Sequence, residues 1–339
     1  MARKTKQIKI TSPEKTALIN PSNLQLKKDF LLYMKSLKRS PGTIIGYDSD
    51  LTIIFTYILD ELGNKDFAKL TKRDLISFQN WLVENGISGA RIRRLKAAMS
   101  SLSNYIENIL SDDEPEFAGY RSIVRKIENP PLSPVREKTV WADGELEYLL
   151  DTLVDNGEYE KACFAALAMY GGRRKAELCR FRVSDFNQDH IVCDGALYKS
   201  DPLLTKGNKY LECFTLKKKF DPYFELWMKC REEQGIKSKW LFPRHGNPEE
   251  HIQISTVDSW ADSFSKITGK DWYAHSLRHF FVSALLKAGI PDGIVVEIMG
   301  WSTADMVKIY DDNPKDERIA MYFKNGEIDT SNRRSIEEI

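Results

Sequence analysis

A mainly α-helical protein of the α+β type, carrying a small β-sheet and arranged in two domains, is what this sequence predicts from three observations. The chain has 339 residues, more than one ordinary hydrophobic core organises and well suited to two. Helical spacing of apolar residues runs from Leu24 to about Leu110. Beyond a proline-rich break, short β-type runs lie between longer helical ones.

The elements follow in order. Residues 1–22 are polar, rich in lysine and without periodicity, so they are expected to form a flexible basic arm. Residues 23–127 form the helical domain. Within "ARIRRLKAAMSSLSNYI", Ile92, Leu95, Met99, Leu102 and Ile106 recur at three- and four-residue steps, while Arg91, Arg93, Arg94 and Lys96 flank that stripe. One helix thus carries a core face and a basic face, and the basic face suits either DNA phosphates or plain solvent. "SDDEPE" and then "ENPPLSPVREK" break the pattern, because paired prolines continue neither a helix nor a central strand. The linker is placed at residues 128–140 and the second domain at 141–325. There "WADGELEYLLDTLV" and "YEKACFAALAMY" read as helices. "GALYKS" and "LLTKGNKYLECFTL" read as β-structure, the latter as two short strands around the turn pair Gly207 and Asn208. After Pro243 helices are expected to about residue 325, followed by a polar tail, 326–339.

Composition narrows the function classes. Hydrophobic content of 42% and charged content of 29% describe a globular chain, and no run of about 18 apolar residues provides a transmembrane helix. "MARKTKQIKI" lacks the apolar centre of a signal peptide, so a cytoplasmic address is expected, without membrane contact. The five cysteines, Cys163, Cys179, Cys193, Cys213 and Cys230, show no C-x-x-C spacing and read as reduced packing residues. The net charge of +1 divides into +7 for residues 1–140 and −6 for the remainder. That asymmetry fits a DNA-gripping module joined to a domain needing only a local basic pocket, and equally one solvated basic face.

Four separated stretches carry candidate chemistry. "GGRRKAEL", 171–178, puts glycines at the end of one helix and arginines at the start of the next, a seat for an anion. Lys206 flanks the turn in "TKGNK". "HSLRHF", 275–280, places His275 and Arg278 one helical turn apart. "MGWSTADMVKIYDD", 299–312, reads as a helix capped by Ser302 and Asp305, with Met306, Ile309 and Tyr310 on one face and Asn313–Pro314 as its stop. Each alone also has an ordinary structural reading: a buried anchor, a solvated lysine, a helix cap.

Together and in this order, the stretches resemble the tyrosine recombinase family of phage-integrase-like enzymes. The resemblance extends from about residue 23 to 325 and includes all of "AGIPDGIVVEIMGWSTADMVKIYDD". It implies that Arg174, three residues before Glu177, is the first catalytic arginine, with Arg173 in the variable position. Lys206 matches the hairpin lysine, His275 and Arg278 the H-x-x-R pair, Trp301 the position more often held by histidine, and Tyr310 the nucleophile. Gly171 departs from the usual threonine. The implied fold is a SAM-like helical core DNA-binding domain, holding Arg91, Arg93, Arg94 and Lys96, joined to a mixed α/β catalytic domain. The implied activity is cutting and rejoining DNA through a 3′-phosphotyrosyl bond, without nucleotide cofactor or metal, so as to integrate, excise or invert a segment. A mobile-element integrase leads; the short arm leaves no room for the separate arm-binding domain of larger phage integrases. The alternatives are a chromosome-dimer-resolving recombinase, a type IB topoisomerase with the same catalytic set, and, from another class, a catalytically inactive DNA-binding protein. Implied partners are double-stranded DNA with specific recombination sites, three further copies in a homotetramer, and an accessory DNA-bending or directionality factor, in a prokaryotic or phage-infected cell. The segment from Ile319 onward is expected to dock on a neighbouring protomer or on its own domain, and Asp311 and Asp312 to be solvated or to repel misplaced DNA.

Overall fold

Most helix starts in the first part of the chain are written as a capping residue followed by proline, or by an acid three residues on. The computed structural model describes residues 9–132, 139–142, 144–205, 209–310, 323–324 and 327–328, and the chain divides into two units, 2–137 and 138–339. In the first unit Ser12 caps α1 (Pro13–Leu18), Asn20 caps α2 (Pro21–Ser36) and Ser40 caps α3 (Pro41–Glu61), each helix opening on its proline. Thr71 and Asp74 form a reciprocal capping box on α4 (Lys72–Glu84), and Ser88 caps α5 (Gly89–Tyr105). α5 runs on through a π turn (Ile106–Leu110) into α6 (Ser111–Asp113). Residues 13–22 are therefore not the expected arm: two caps order them, and Ile19 between the helices is buried.

The expected stripe of α5 is the core seam. Ile92, Leu95, Met99, Leu102 and Ile106 are all buried and join one cluster with Phe30, Leu51 and Phe55. Its cations are engaged within the unit. Asp50 on α3 is buried and accepts from Arg91 at 2.5 Å and from Arg94 at 2.8 Å. Lys96 donates to Gln79 Oε1, Ile127 O and Glu128 O at 3.2, 2.8 and 2.9 Å, which uses all three of its protons. Arg93 reaches Pro130 O at 3.1 Å. Residues 127–130 are thus strapped along the basic face of α5.

The second unit is built around α8 (Tyr159–Gly171), in which every residue from Ala162 to Gly171 is buried. Helix α7 (Glu145–Asp155), α10 (Lys217–Glu233) and α12 (Ala274–Lys287) pack against it. After the one-turn α9 (Lys175–Leu178) come β1 (Ile191–Val192), β2 (Leu197–Lys199), the hairpin β3 (Leu203–Leu204) and β4 (Tyr210–Leu211), and β5 (Phe214–Leu216). The sheet is antiparallel in the order β1-β2-β5, and β3–β4 pairs separately, Leu204 opposite Tyr210. A further hairpin, β6 (Pro243–Arg244) and β7 (Asn247–His251), occupies a stretch expected to be helical; Gly246, at φ +81°, supplies its turn. Then follow α11 (Ile254–Thr268), α12, α13 (Asp292–Met299), α14 (Asp305–Tyr310), and β8 (Phe323–Lys324) paired with β9 (Glu327–Ile328). The remainder of the segment from Ile319, with Asp311 and Asp312, lies outside the described residues.

All five cysteines are free. Cys163, Cys179 and Cys213 pack inside, whereas Cys193 is exposed in a left-handed turn and Cys230 is half-buried. Among the described residues no helix is long and apolar enough to cross a membrane.

Candidate active site

α8 stops at Gly172, which adopts φ +61° and donates its N–H to Ala168 O at 3.1 Å. A Cβ there would lie 2.3 Å from Phe281 Cδ1, so only glycine lets this turn press against α12. Arg174 then opens α9. The buried carboxylate of Glu177 accepts the Arg174 backbone N–H and its Nη1, both at 3.0 Å. One acid three residues on thereby fixes both the helix start and the guanidinium, which is the physical content of the R-x-x-E spacing. A Cβ at Gly171 lies only 3.1 Å from Thr215 Oγ1, so the threonine usual at this position would crowd β5. The two adjacent arginines part company. Arg174 lines a cleft of about 350 Å³ together with His275, whereas Arg173 is fully buried.

α12 brings the second pair. His275 is exposed in its first turn, and Arg278, one turn on, is 0% exposed. Arg278 Nη1 donates to Gly172 O at 3.0 Å, closing α12 onto the α8–α9 turn. Desolvation, then the Arg174 guanidinium, lowers the Arg278 pKa to about 10, with Tyr310 acting in the opposite sense; the group stays charged at neutral pH. Its Cζ stands 5.4 Å from the Trp301 ring centroid. Arg278 Nε and Nη2 and Trp301 Nε1 are buried donors that meet no acceptor at hydrogen-bonding geometry among the described residues.

The third group follows α13. Gly300 ends that helix at φ +63°, and a Cβ there would lie 2.3 Å from Leu211 Cδ2, so the root of the β3–β4 hairpin abuts the turn carrying Trp301. The hairpin is closed by Thr205, whose N–H and hydroxyl reach Lys209 O at 2.7 and 3.0 Å. Lys206 itself lies outside the described residues.

α14 begins at Asp305, later than the expected Ser302 cap, and it buries Val307 and Tyr310 while Ile309 is 59% exposed. The expected face of Met306, Ile309 and Tyr310 is corrected accordingly: neighbours in a helix point about 100° apart, so an inward Tyr310 turns Ile309 outward. Tyr310 is 3% exposed. Its ring lies between Trp301, at 4.9 Å and 30°, and His279, at 4.2 Å and 31°. Its hydroxyl is 3.1 Å from His275 Nε2, and Ser283 Oγ donates to its carbonyl at 2.9 Å. His279 was not among the residues expected here, although its place four residues after His275 puts it on the same helix face.

These groups place a nitrogen able to accept the phenol proton beside cationic donors that meet no acceptor among the described residues. Although the His275 ring reaches solvent, desolvation by the wall behind it is the first cause that lowers its pKa, followed by the Arg278 and Arg174 charges. A neutral imidazole with its proton on Nδ1 leaves Nε2 to accept from the Tyr310 O–H. No residue of this group belongs to the trio with metal-ligand spacing among the described residues, Asp185, His190 and Asp201. There Asp185 accepts the Arg182 and Asp201 backbone N–H groups at 2.7 and 3.1 Å and so braces the base of the β-structure.

The His275 ring protons should titrate by NMR below the ordinary imidazole value of 6.5. With the folded pKa depressed, protonation favours the unfolded chain. The contribution of His275 to stability is therefore fully present above 6.5 and is lost as pH falls through the folded value. A midpoint at or above 6.5 would contradict the described surroundings.

Known proteins similar to this chain belong to one family. The profile of the phage integrase family matches residues 142–317, and that of the phage integrase N-terminal SAM-like domain matches residues 28–108. The SPbeta prophage-derived recombinase-like protein YomM of Bacillus subtilis is 29% identical over 252 residues, 71% of this chain and 72% of the relative. Tyrosine recombinase XerA of Pyrococcus horikoshii is 24% identical over 294 residues, 85% of this chain and 89% of the relative. The same fold occurs in the XerH site-specific recombinase bound to a palindromic difH substrate, with TM-score 0.64 and 19% identity over 88% of this chain and 83% of that one. With one family profile spanning more than half its length, and the tyrosine, histidine and arginine of its ordered boxes gathered at one place, this chain belongs to the phage integrase family of tyrosine-type site-specific recombinases.

Proposed function

We propose that the chain integrates or excises a mobile DNA segment, with Tyr310 as nucleophile. The observation that carries this reading is the Tyr310 hydroxyl, 3.1 Å from His275 Nε2 and beside a buried guanidinium whose Nε and Nη2 meet no acceptor at hydrogen-bonding geometry among the described residues. The phenol oxygen attacks the scissile phosphorus and its proton passes to His275; the bond to the 5′-oxygen breaks, and Lys206 protonates that oxygen. Arg174 and Arg278 hold the nonbridging oxygens, and Trp301 Nε1–H donates a third contact. Atoms balance in this step without a nucleotide or a metal. The 3′-phosphotyrosyl bond conserves the phosphodiester energy, and a 5′-hydroxyl from the partner duplex reverses the step. Exchange between two duplexes cuts four strands in all, and one tyrosine per chain supports a homotetramer working on DNA in the cytoplasm. The prophage-derived relative supports the mobile-element role.

For the first unit we assign phosphate contact to Arg91, Arg93 and Arg94, whose guanidiniums keep donors beyond those already used. Lys96 is assigned to holding residues 127 and 128 instead. Replacing Arg93 and Arg94 by Gln should lower the dependence of log affinity on log salt by about 2, since each neutralised phosphate contributes about 0.9. Lys96→Met should leave that slope unchanged. A slope indifferent to the arginines would make α5 a solvated face only.

The catalytic assignment is tested on nicked suicide duplexes cut from the DNA that flanks the gene. Tyr310→Phe should bind these like the parent chain yet form no covalent adduct in denaturing gels. An adduct persisting in that variant would remove Tyr310 from the role of nucleophile.

Lys206→Ala should be slowed by about 10²–10⁴-fold on ordinary DNA, the usual range for loss of a general acid. It should recover when sulfur replaces the 5′-bridging oxygen, because a thiolate leaves without a proton. Absence of recovery would assign the acid to another group.

A further inference from the structure

The arginine that precedes Arg174 has no place in the chemistry above, yet it is one of the largest fully buried side chains in the protein. Arg173 is 0% exposed. Its Nη2 donates to Ile298 O at 2.6 Å, and its Nε and Nη1 meet no acceptor among the described residues. A buried cation held by one neutral acceptor adds little to stability, and an apolar side chain of similar size would do at least as well. Stability therefore does not account for it.

Its acceptor does. The last carbonyls of a helix lack partners within the helix and carry the negative end of its dipole. At the end of α13 the Trp301 N–H takes Val296 O at 3.0 Å and the Gly300 N–H takes Glu297 O at 3.1 Å. Ile298 O is the next carbonyl, and Arg173 takes it. Three residues later stands Trp301, which lies on Tyr310 at 4.9 Å and under Arg278 at 5.4 Å. Arg173 is bonded through the backbone to Arg174, so one side chain ties the phosphate-holding turn to the turn that carries the wall of the nucleophile.

Resting on the catalytic reading above, we propose that Arg173 is a positioning residue for strand cleavage: by capping α13 it fixes Trp301, and through Trp301 the ring of Tyr310, relative to Arg174 and Arg278. It touches neither the phosphate nor the phenol. Methionine or leucine at this position would complete the core but leave the α13 terminus free to shift.

The test uses the full chain and the same nicked flanking duplexes. Arg173→Met should melt at or above the parent temperature and bind DNA equally, yet form adduct at least tenfold more slowly under single-turnover conditions. Arg173→Lys, with a donor able to reach Ile298 O, should recover part of that loss. In a Trp301→Phe background, Arg173→Met should cost less than a further twofold, because the route through the indole is already gone. The inference is overturned if Arg173→Met cleaves within twofold of the parent, if the two losses multiply, or if the Met variant loses melting temperature and DNA binding together with cleavage. Should Arg173→Met not fold, the cycle of Arg173→Lys with Trp301→Phe decides by the same rule. Adduct formation by Tyr310→Phe defeats the underlying catalytic reading instead, whatever Arg173 does.

Discussion

The hydrogen bond from Arg278 to the carbonyl of Gly172 is the contact on which the rest of the site depends. It buries a guanidinium beside a second one, Arg174, and near a third, Arg173, with no carboxylate on Arg278 among the described residues. Concentrated like charge of this kind opposes folding. The protein offsets it with neutral dipoles and a π face: the Gly172 carbonyl and Trp301 for Arg278, the Ile298 carbonyl for Arg173, and only for Arg174 a true counterion, Glu177. In the proposed reaction these N–H donors are preorganised for a charge that arrives with the substrate, which is how electrostatic catalysis avoids reorganisation at the moment of reaction.

The close approaches that make this arrangement possible are backbone features. Gly172 against Phe281 and Gly300 against Leu211 each leave no space for a Cβ, and both sit in the left-handed region that glycine adopts without strain. One brings the arginine turn to α12. The other brings the root of the β3–β4 hairpin to the turn before α14. Helix α14 is short and contributes little by itself; packing of Val307, the Trp301–Tyr310–His279 stack and the Ser283 bond hold its tyrosine in place. Tyr310 is enclosed while His275, on α12, remains at the surface.

In the first unit, charge and structure are interwoven in a different way. The basic face of α5 is also the seat of the chain leaving that unit, because Lys96 and Arg93 hold the carbonyls of residues 127, 128 and 130. Cations that look alike in a helical wheel therefore divide into two kinds. Arg91 and Arg94 share the buried Asp50 and keep spare donors, whereas Lys96 has none left.

Much of this was legible in the sequence by itself. The core seam of α5, the helices α7 and α8, the hairpin strands around residues 206–208, and the order of the Arg174, His275, Arg278, Trp301 and Tyr310 boxes are all local patterns, set by side-chain periodicity and by short fixed spacings. The α1 and α2 starts were equally local, written as Ser12–Pro13 and Asn20–Pro21, but both precede the apolar stripe of Leu26, Phe30 and Met34. Other features had no local signal. That Ile309 turns outward while Tyr310 turns inward depends on the wall formed by α12. The sequence by itself determined the helices and which chemical groups the chain carries. Only the tertiary structure decided that Arg173 caps α13, that Lys96 holds its own chain and that His279 flanks Tyr310, because each of these rests on a contact between segments whose separation in the sequence carries no periodic mark.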